Sequence, residues 1–362
     1  MQKEQVLKAL SEVQDPDLKK DLVTLNMIED VVVDASKISF KVVLTTPACP
    51  MKELIRTDCE KAIVKHFGKD VELDITMTSS VTTVRDEGPL LPGVKNIIAI
   101  SSGKGGVGKS TIASNLAIAL SRAGADVGLV DADIFGPSVP TMFNCEHEQP
   151  GIEEIGDKKM IVPIEQYGVK LMSIGFLTPP EGAVVWRGPM ASSALKQFLG
   201  DTKWGELDYL LIDLPPGTSD IHLTLVQSVP VTGAVVVTTP QKVALADAQK
   251  GISMFNQGQI NVPILGLVEN MAYFTPAELP ENKYYLFGEG GGEKLAKKHD
   301  IHLLGQIPIV QSIRESGDSG YPSALKDDVT AEAFNELASA MASQIAIRNA
   351  NFDQTKKVEL NV

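Results

Sequence analysis

Ile97-Ile-Ala-Ile-Ser-Ser-Gly-Lys-Gly-Gly-Val-Gly-Lys-Ser-Thr111 runs from an apolar, β-branched stretch through a glycine-rich turn into the start of a helical pattern. Gly103 to Ser110 spells G-x-x-x-x-G-K-S, with a strand expected ahead of it at 97–101 and a helix behind it at 110–123, stopped by Gly124. Glycines in such a turn let successive backbone N–H groups point inward around phosphate oxygens, and the helix N-terminus adds a dipole that favours anions. The loop made of Gly103, Lys104, Gly105, Gly106, Val107, Gly108, Lys109, Ser110 and Thr111 is therefore expected to bind ATP. Lys109 would neutralise the β/γ-phosphate charge, and Ser110 would offer its hydroxyl to Mg2+.

Working outward, short β-branched runs alternate with helical patterns from residue 96 onward. Strands are expected at 97–101, 126–131, 209–213, 234–239, 264–269 and 303–308, and helices at 110–123, 242–256, 292–299 and 330–347. This alternation predicts an α/β fold, a doubly wound parallel sheet with helices on both faces. Residues 1–85 differ, reading helix, strand, strand, helix, strand, which predicts a small α+β domain. Prolines and glycines cluster where both patterns stop, so 86–95 is read as a linker, 96–347 as the nucleotide-binding domain and 348–362 as a polar, frayed tail.

Two further strands end in carboxylates. Leu207-Asp-Tyr-Leu-Leu-Ile-Asp213 resembles a Walker B strand, in which Asp213 would hold Mg2+ directly or through water. Val127-Gly-Leu-Val-Asp-Ala-Asp133 places Asp131 and Asp133 two residues apart on one side of its strand end.

Composition narrows the partners. The 362 residues are 43% hydrophobic and 22% charged, as in ordinary globular chains, and the net charge of −13 opposes binding to nucleic acid or to an anionic membrane. No apolar run is long enough to span a bilayer and the start lacks a signal-peptide stretch, so a cytoplasmic protein is expected. Three cysteines, Cys49, Cys59 and Cys145, are too few for a disulfide framework. The five histidines show no metal-ligand spacing and read as surface or helix-end residues.

The second lysine inside the loop, Lys104, makes Lys-Gly-Gly-Val-Gly-Lys-Ser resemble the deviant Walker A of the ParA/MinD/nitrogenase-iron-protein class. That resemblance implies a homodimer in which Lys104 reaches the partner's nucleotide. It also implies that Asp133 orients or deprotonates the attacking water with Asp131 assisting at the metal, and that Asn270 and Pro308 meet the adenine. The strings Asp131-Ala-Asp-Ile-Phe-Gly-Pro-Ser-Val-Pro140, Trp186-Arg-Gly-Pro-Met190, Asp213-Leu-Pro-Pro-Gly-Thr-Ser-Asp220, Thr239-Pro-Gln241 and Val268-Glu-Asn-Met271 resemble the Mrp/ApbC family of iron-sulfur cluster carrier ATPases. In the first 85 residues, Leu44-Thr-Thr-Pro-Ala-Cys-Pro-Met51 and Asp15-Pro-Asp17 resemble the iron-sulfur-assembly domain fused ahead of many bacterial members. Membership implies a cluster of the 4Fe-4S type and its delivery to apoprotein clients, with cluster-assembly factors as further partners; ATP hydrolysis that times a conformational cycle is expected to be slow.

One departure bears on the cargo. Members carry a C-x-x-C pair just beyond Val-Glu-Asn-Met, and here Pro276 and Leu279 occupy those positions. Three readings follow: ligation by other thiols, with Cys49 and Cys145 as candidates; an ATP-dependent scaffold whose partner supplies the ligands; or an ATPase switch unrelated to iron. The runner-up class is a partition or positioning ATPase of the ParA/MinD type, whose basic DNA face and lipid-binding helix the sequence does not show. The aromatic stretch Tyr273-Phe274 and Tyr284-Tyr285-Leu-Phe287 reads first as loop packing.

Overall fold

The computed structural model describes residues 2–34, 37–86, 90–156, 158–177, 188–258, 260–276, 278–279 and 281–358. Contacts divide the chain into one unit of Met1–Thr82 with Ala342–Phe352 and a second of Thr83–Met341 with Asp353–Val362. Trp186 and Arg187 of the quoted strings, together with residues 87–89 of the expected linker and 359–362 of the expected tail, lie outside the described residues.

The first unit contains α1 (Lys3–Leu10), β1 (Ile28–Val33), β2 (Lys37–Leu44), α2 (Lys52–Phe67) and β3 (Glu72–Ser79). β2 is the middle strand, antiparallel to β1 and parallel to β3, with α2 making the crossover. Alternate residues Ile38, Phe40, Val42 and Leu44 of β2 are buried against Ile55, Cys59, Ala62 and Ile63 of α2, which recur at helical spacing. Each fully buried Leu or Ile in such a core contributes roughly 1.5–3 kcal/mol.

The second unit continues with β4 (Val94–Ser102), α3 (Lys109–Arg122), β5 (Val127–Asp131), α4 (Val139–Met142), β6 (Gly151–Ile155), β7 (Lys158–Val162), β8 (Ile164–Gln166) and β9 (Val169–Ser173). Then follow α5 (Gly188–Gly200), β10 (Leu207–Asp213), α6 (Asp220–Ser228), β11 (Gly233–Thr238), α7 (Lys242–Phe255), β12 (Ile264–Phe274), α8 (Gly291–His299), β13 (Leu303–Ile309), α9 (Gln311–Asp318) and α10 (Val329–Asn351). Eight strands form one sheet in the order β13-β12-β11-β4-β10-β5-β9-β8. All neighbours are parallel except β8 and β9, so the sheet carries an antiparallel edge that the expected all-parallel sheet lacked.

β4 is buried at every position but Lys95, as expected of a strand covered on both faces. Chain order runs from β4 toward β5 on one side and later toward β11, β12 and β13 on the other. The reversal leaves a crevice at the carboxyl end of β4, where open α/β sheets place their ligands. Asp213 stands opposite Asp131 in the β10–β5 register, so both carboxylates reach this one edge.

The end of the chain differs from the frayed tail expected from residue 348. α10 continues to Asn351, with Arg348 and Asn349 buried and Asn349 Nδ2 donating to the Thr82 carbonyl at 2.9 Å. Beyond it, Val358 is buried and its N–H donates to the Val226 carbonyl. A polar composition alone did not reveal these partners because they lie far away in sequence.

Candidate functional site

The loop between β4 and α3 wraps a cavity of about 220 Å³ whose lining includes Lys104, Gly105, Lys109, Ser110, Asp133 and Pro216. Two glycines are needed there for space. A Cβ on Gly103 would stand 2.1 Å from the Asp247 carbonyl carbon, and one on Gly108, where φ is +81°, would stand 2.2 Å from Asn270 Nδ2. Asn270 in turn donates that amide to the Val107 carbonyl at 2.8 Å, tying β12 to the loop.

Lys109 is only 6% exposed, and its Nζ lies 2.6 Å from Asp213 Oδ1, 3.7 Å from Asp133 Oδ2 and 3.3 Å from Ser110 Oγ. Asp213 is fully buried, and its second oxygen, Oδ2, has no hydrogen-bond partner among the described residues. Burial pushes the Asp133 carboxyl above its ordinary value, while Lys109 pulls it back. Burial also pushes Asp131 up, to about 7, with the Asp213 charge adding to the shift and Lys109 opposing it.

Asp131, expected to assist at the metal, is held by four hydrogen-bond donors. Its Oδ1 accepts from the Asp133 N–H at 3.2 Å. Its Oδ2 accepts from the Ser138 N–H at 3.1 Å, the Val139 N–H at 3.2 Å and the Ser173 hydroxyl at 3.0 Å. Both oxygens thus organise the segment that carries Asp133. Ser173 was missed in the sequence; its only signal is the register of β9, a five-residue strand in which it pairs with Asp131.

A second cavity, of about 600 Å³, shares Gly108, Thr111, Ser138 and Met142 with the first. Asn270, Met271, Pro308 and Ile313 also line it, so Asn270 and Pro308 meet at one cavity contiguous with the loop. Met271 holds a left-handed φ of +54° within β12, where the pairing with β13 is irregular. Met271 was quoted in the sequence only as the end of Val268-Glu-Asn-Met271, with no role of its own, and α9, which supplies Ile313 and Arg314, was not singled out.

Cys145 is 2% exposed, its Sγ donates to the Pro140 carbonyl at 3.5 Å, and burial pushes it up to about 12. Cys59 is buried with a thiol likewise near 12, whereas Cys49 is half-buried and raised chiefly by that burial. Among the described residues no cluster of three or more His, Cys, Asp or Glu could hold a metal ion. His222 lies at a helix end, one of the two settings expected for the histidines, but it is buried there, and burial pushes it down to about 4.

Residues 93–345 match the family model of the NUBPL iron-transfer P-loop NTPases, of the ParA type, and residues 3–75 match that of an iron-sulfur cluster assembly protein. The chain belongs to the Mrp/ApbC-type iron-sulfur cluster carriers. It is 49% identical over 342 residues to the iron-sulfur cluster carrier protein of Synechocystis, covering 94% of this chain and 96% of the relative. It is 47% identical over 346 residues to that of Deinococcus radiodurans, covering 95% of each. A nucleotide-binding protein of Archaeoglobus fulgidus, solved in complex with ADP, is 39% identical and superposes with a TM-score of 0.57, covering 65% of this chain and 90% of its own. The family model thus spans the sheet and loop described above, and the Mrp/ApbC resemblance read from the motifs holds in both parts of the chain. Among the described residues no helix is long and apolar enough to cross a membrane.

Proposed function

We propose that the chain binds and slowly hydrolyses ATP, and that this cycle drives the carriage of an iron-sulfur cluster to apoprotein clients. The observation that carries the nucleotide half is the Lys109–Asp213 pair at 2.6 Å, buried at the mouth of a glycine cradle beside Asp133. ATP would place its phosphates in the smaller cavity and its adenosine in the larger one, against Asn270 and Pro308. The unpartnered Asp213 Oδ2 and the Ser110 hydroxyl are oxygen donors of the kind Mg2+ takes, and the ion would supply charge neutralisation at the phosphates. Asp133 is the carboxylate left to orient the attacking water, since Asp131 is engaged by the loop. Lys104 is exposed and lines the cradle, a setting suited to reaching a second subunit's nucleotide in a homodimer.

Asn270→Ala removes both the amide that holds the Val107 carbonyl and one wall of the larger cavity. About tenfold weaker nucleotide binding is expected, corresponding to the loss of one well-made buried hydrogen bond. Titration with a fluorescent ATP analogue measures it, and an unchanged affinity would place the base elsewhere.

For the cargo we favour Cys49 over Cys145, because a ligating thiol must lose its proton and be reached by iron. One half-buried cysteine per chain leaves further ligands to a second copy or to the client. Anaerobic loading with iron and sulfide, read as visible absorbance and iron per chain, tests this directly. Wild type and Cys145→Ser are expected to take up a cluster that Cys49→Ser loses. No absorbance in any of the three would overturn ligation by the chain's own thiols.

A further inference from the structure

The segment Leu214-Pro-Pro-Gly-Thr-Ser219, between Asp213 and α6, lies over the end of β4. The Leu214 N–H donates to the Ile100 carbonyl at 3.0 Å, and the Gly217 N–H donates to the Ser102 carbonyl at 2.8 Å. Pro216 of this segment lines the phosphate cradle. At its far end His222, in the first turn of α6, takes over the anchoring. Its Nδ1 is 3.2 Å from both the Ser219 N–H and the Ser219 hydroxyl, and its Nε2 is 3.5 Å from Ser101 Oγ.

Nδ1 therefore accepts and Nε2 carries the ring proton, directed toward the strand that leads into the loop. The ring is 1% exposed and tilted against Phe255, with centroids 6.4 Å apart. A surface histidine at a helix start would cap that helix and do nothing more. This one bridges the helix start to β4, one residue from Ser102, which holds both Gly217 and, through its hydroxyl, the Lys104 carbonyl at 3.0 Å.

We infer that His222 is a positioning residue for ATP hydrolysis, holding the 214–219 segment in register with the phosphate loop so that Asp213 and Pro216 present one fixed wall to the terminal phosphate. The inference rests on the hydrolytic reading proposed above. It assigns His222 no contact with nucleotide. Its loss therefore acts on turnover while leaving ground-state binding in place.

The test compares wild type with His222→Leu, which keeps apolar volume against Phe255, and with His222→Gln, whose side chain at the third helical position can still pair with the Ser219 N–H. In steady-state ATPase assays His222→Leu is expected to lower kcat at least tenfold with KM and ADP affinity within threefold, and His222→Gln to recover most of the loss. Amide hydrogen exchange of residues 214–219 with bound ATP analogue is expected to be protected in wild type and in His222→Gln but not in His222→Leu. Unchanged kcat in His222→Leu, or affinity falling in step with kcat, would overturn the role. Should His222→Leu not fold, Ser101→Ala removes only the Nε2 partner and is expected to lower kcat three- to fivefold; no change there overturns it equally. If wild type itself shows no turnover, the hydrolytic reading fails, and the exchange comparison still decides whether His222 holds the segment.

Discussion

Lys109→Ala is expected to abolish ATP binding and to cost the fold about 3–5 kcal/mol, the usual penalty for removing one partner of a buried ion pair. The Asp213 carboxylate is fully buried, and among the described residues only Lys109 Nζ is its hydrogen-bond partner, on Oδ1, while Oδ2 has none. Asp131 is buried beside it and Asp133 lies within 3.7 Å of the same ammonium group. Deleting that group leaves the three carboxylates without the ammonium they face, and their mutual repulsion must be relieved by protonation or by entry of water. The same group is the fixed charge available to the β- and γ-phosphates, so affinity and stability fall together. Calorimetric titration with ATP and urea denaturation read the two effects separately. Undiminished turnover would defeat the site assignment, and unchanged stability would mean that the carboxylates are solvated rather than paired.

How much of this was legible in the sequence differs from residue to residue, for physical reasons. The loop and Asp213 were readable because a strand buried on both faces shows a continuous apolar run, and because the glycines are required by local backbone geometry. The small α+β part was readable from the alternation in β2 and the helical spacing in α2. β8, β9 and the β6–β7 hairpin were not, since strands of three to five residues with polar neighbours carry too few periods to register. α5 was hidden by the Gly188-Pro189 start, although Ala191, Ala194, Leu195 and Phe198 repeat at helical spacing. Asp131 was expected to assist at the metal by resemblance alone, and the hydrogen bonds it accepts were not legible. The donors that engage it arrive from Ser138, Val139 and Ser173, and the last of these depends on a strand pairing that no local pattern encodes. His222 is the same case, since its neighbours Ser101 and Phe255 come from distant parts of the chain.

Gly103→Ala and Gly105→Ala are expected to separate sharply, although both lie in one loop and both substitutions add one methyl group. At Gly103 the new Cβ would stand 2.1 Å, 2.2 Å and 2.4 Å from the carbonyl carbon and oxygen of Asp247 and the nitrogen of Ala248. These are backbone atoms inside α7, whose helical hydrogen bonds prevent them from moving aside as a side chain would. Either the loop leaves β4 at a different angle or α7 shifts, and the first displaces every N–H that would meet a phosphate. At Gly105 the nearest atom is Pro216 Cγ at 3.8 Å, an ordinary contact, and the backbone does not need a positive φ. Gly103→Ala is therefore expected to lower stability by about 1–3 kcal/mol, the range for overpacking a filled site, and to weaken ATP binding at least a hundredfold. Gly105→Ala should leave stability within about 0.5 kcal/mol of wild type and retain measurable binding. Thermal denaturation and nucleotide titration of the two variants side by side provide the check. Equal losses in both would show that the loop is demanding through conformational freedom alone, whereas a loss confined to Gly103 would show that close packing of β4's exit against α7 sets the cradle's shape.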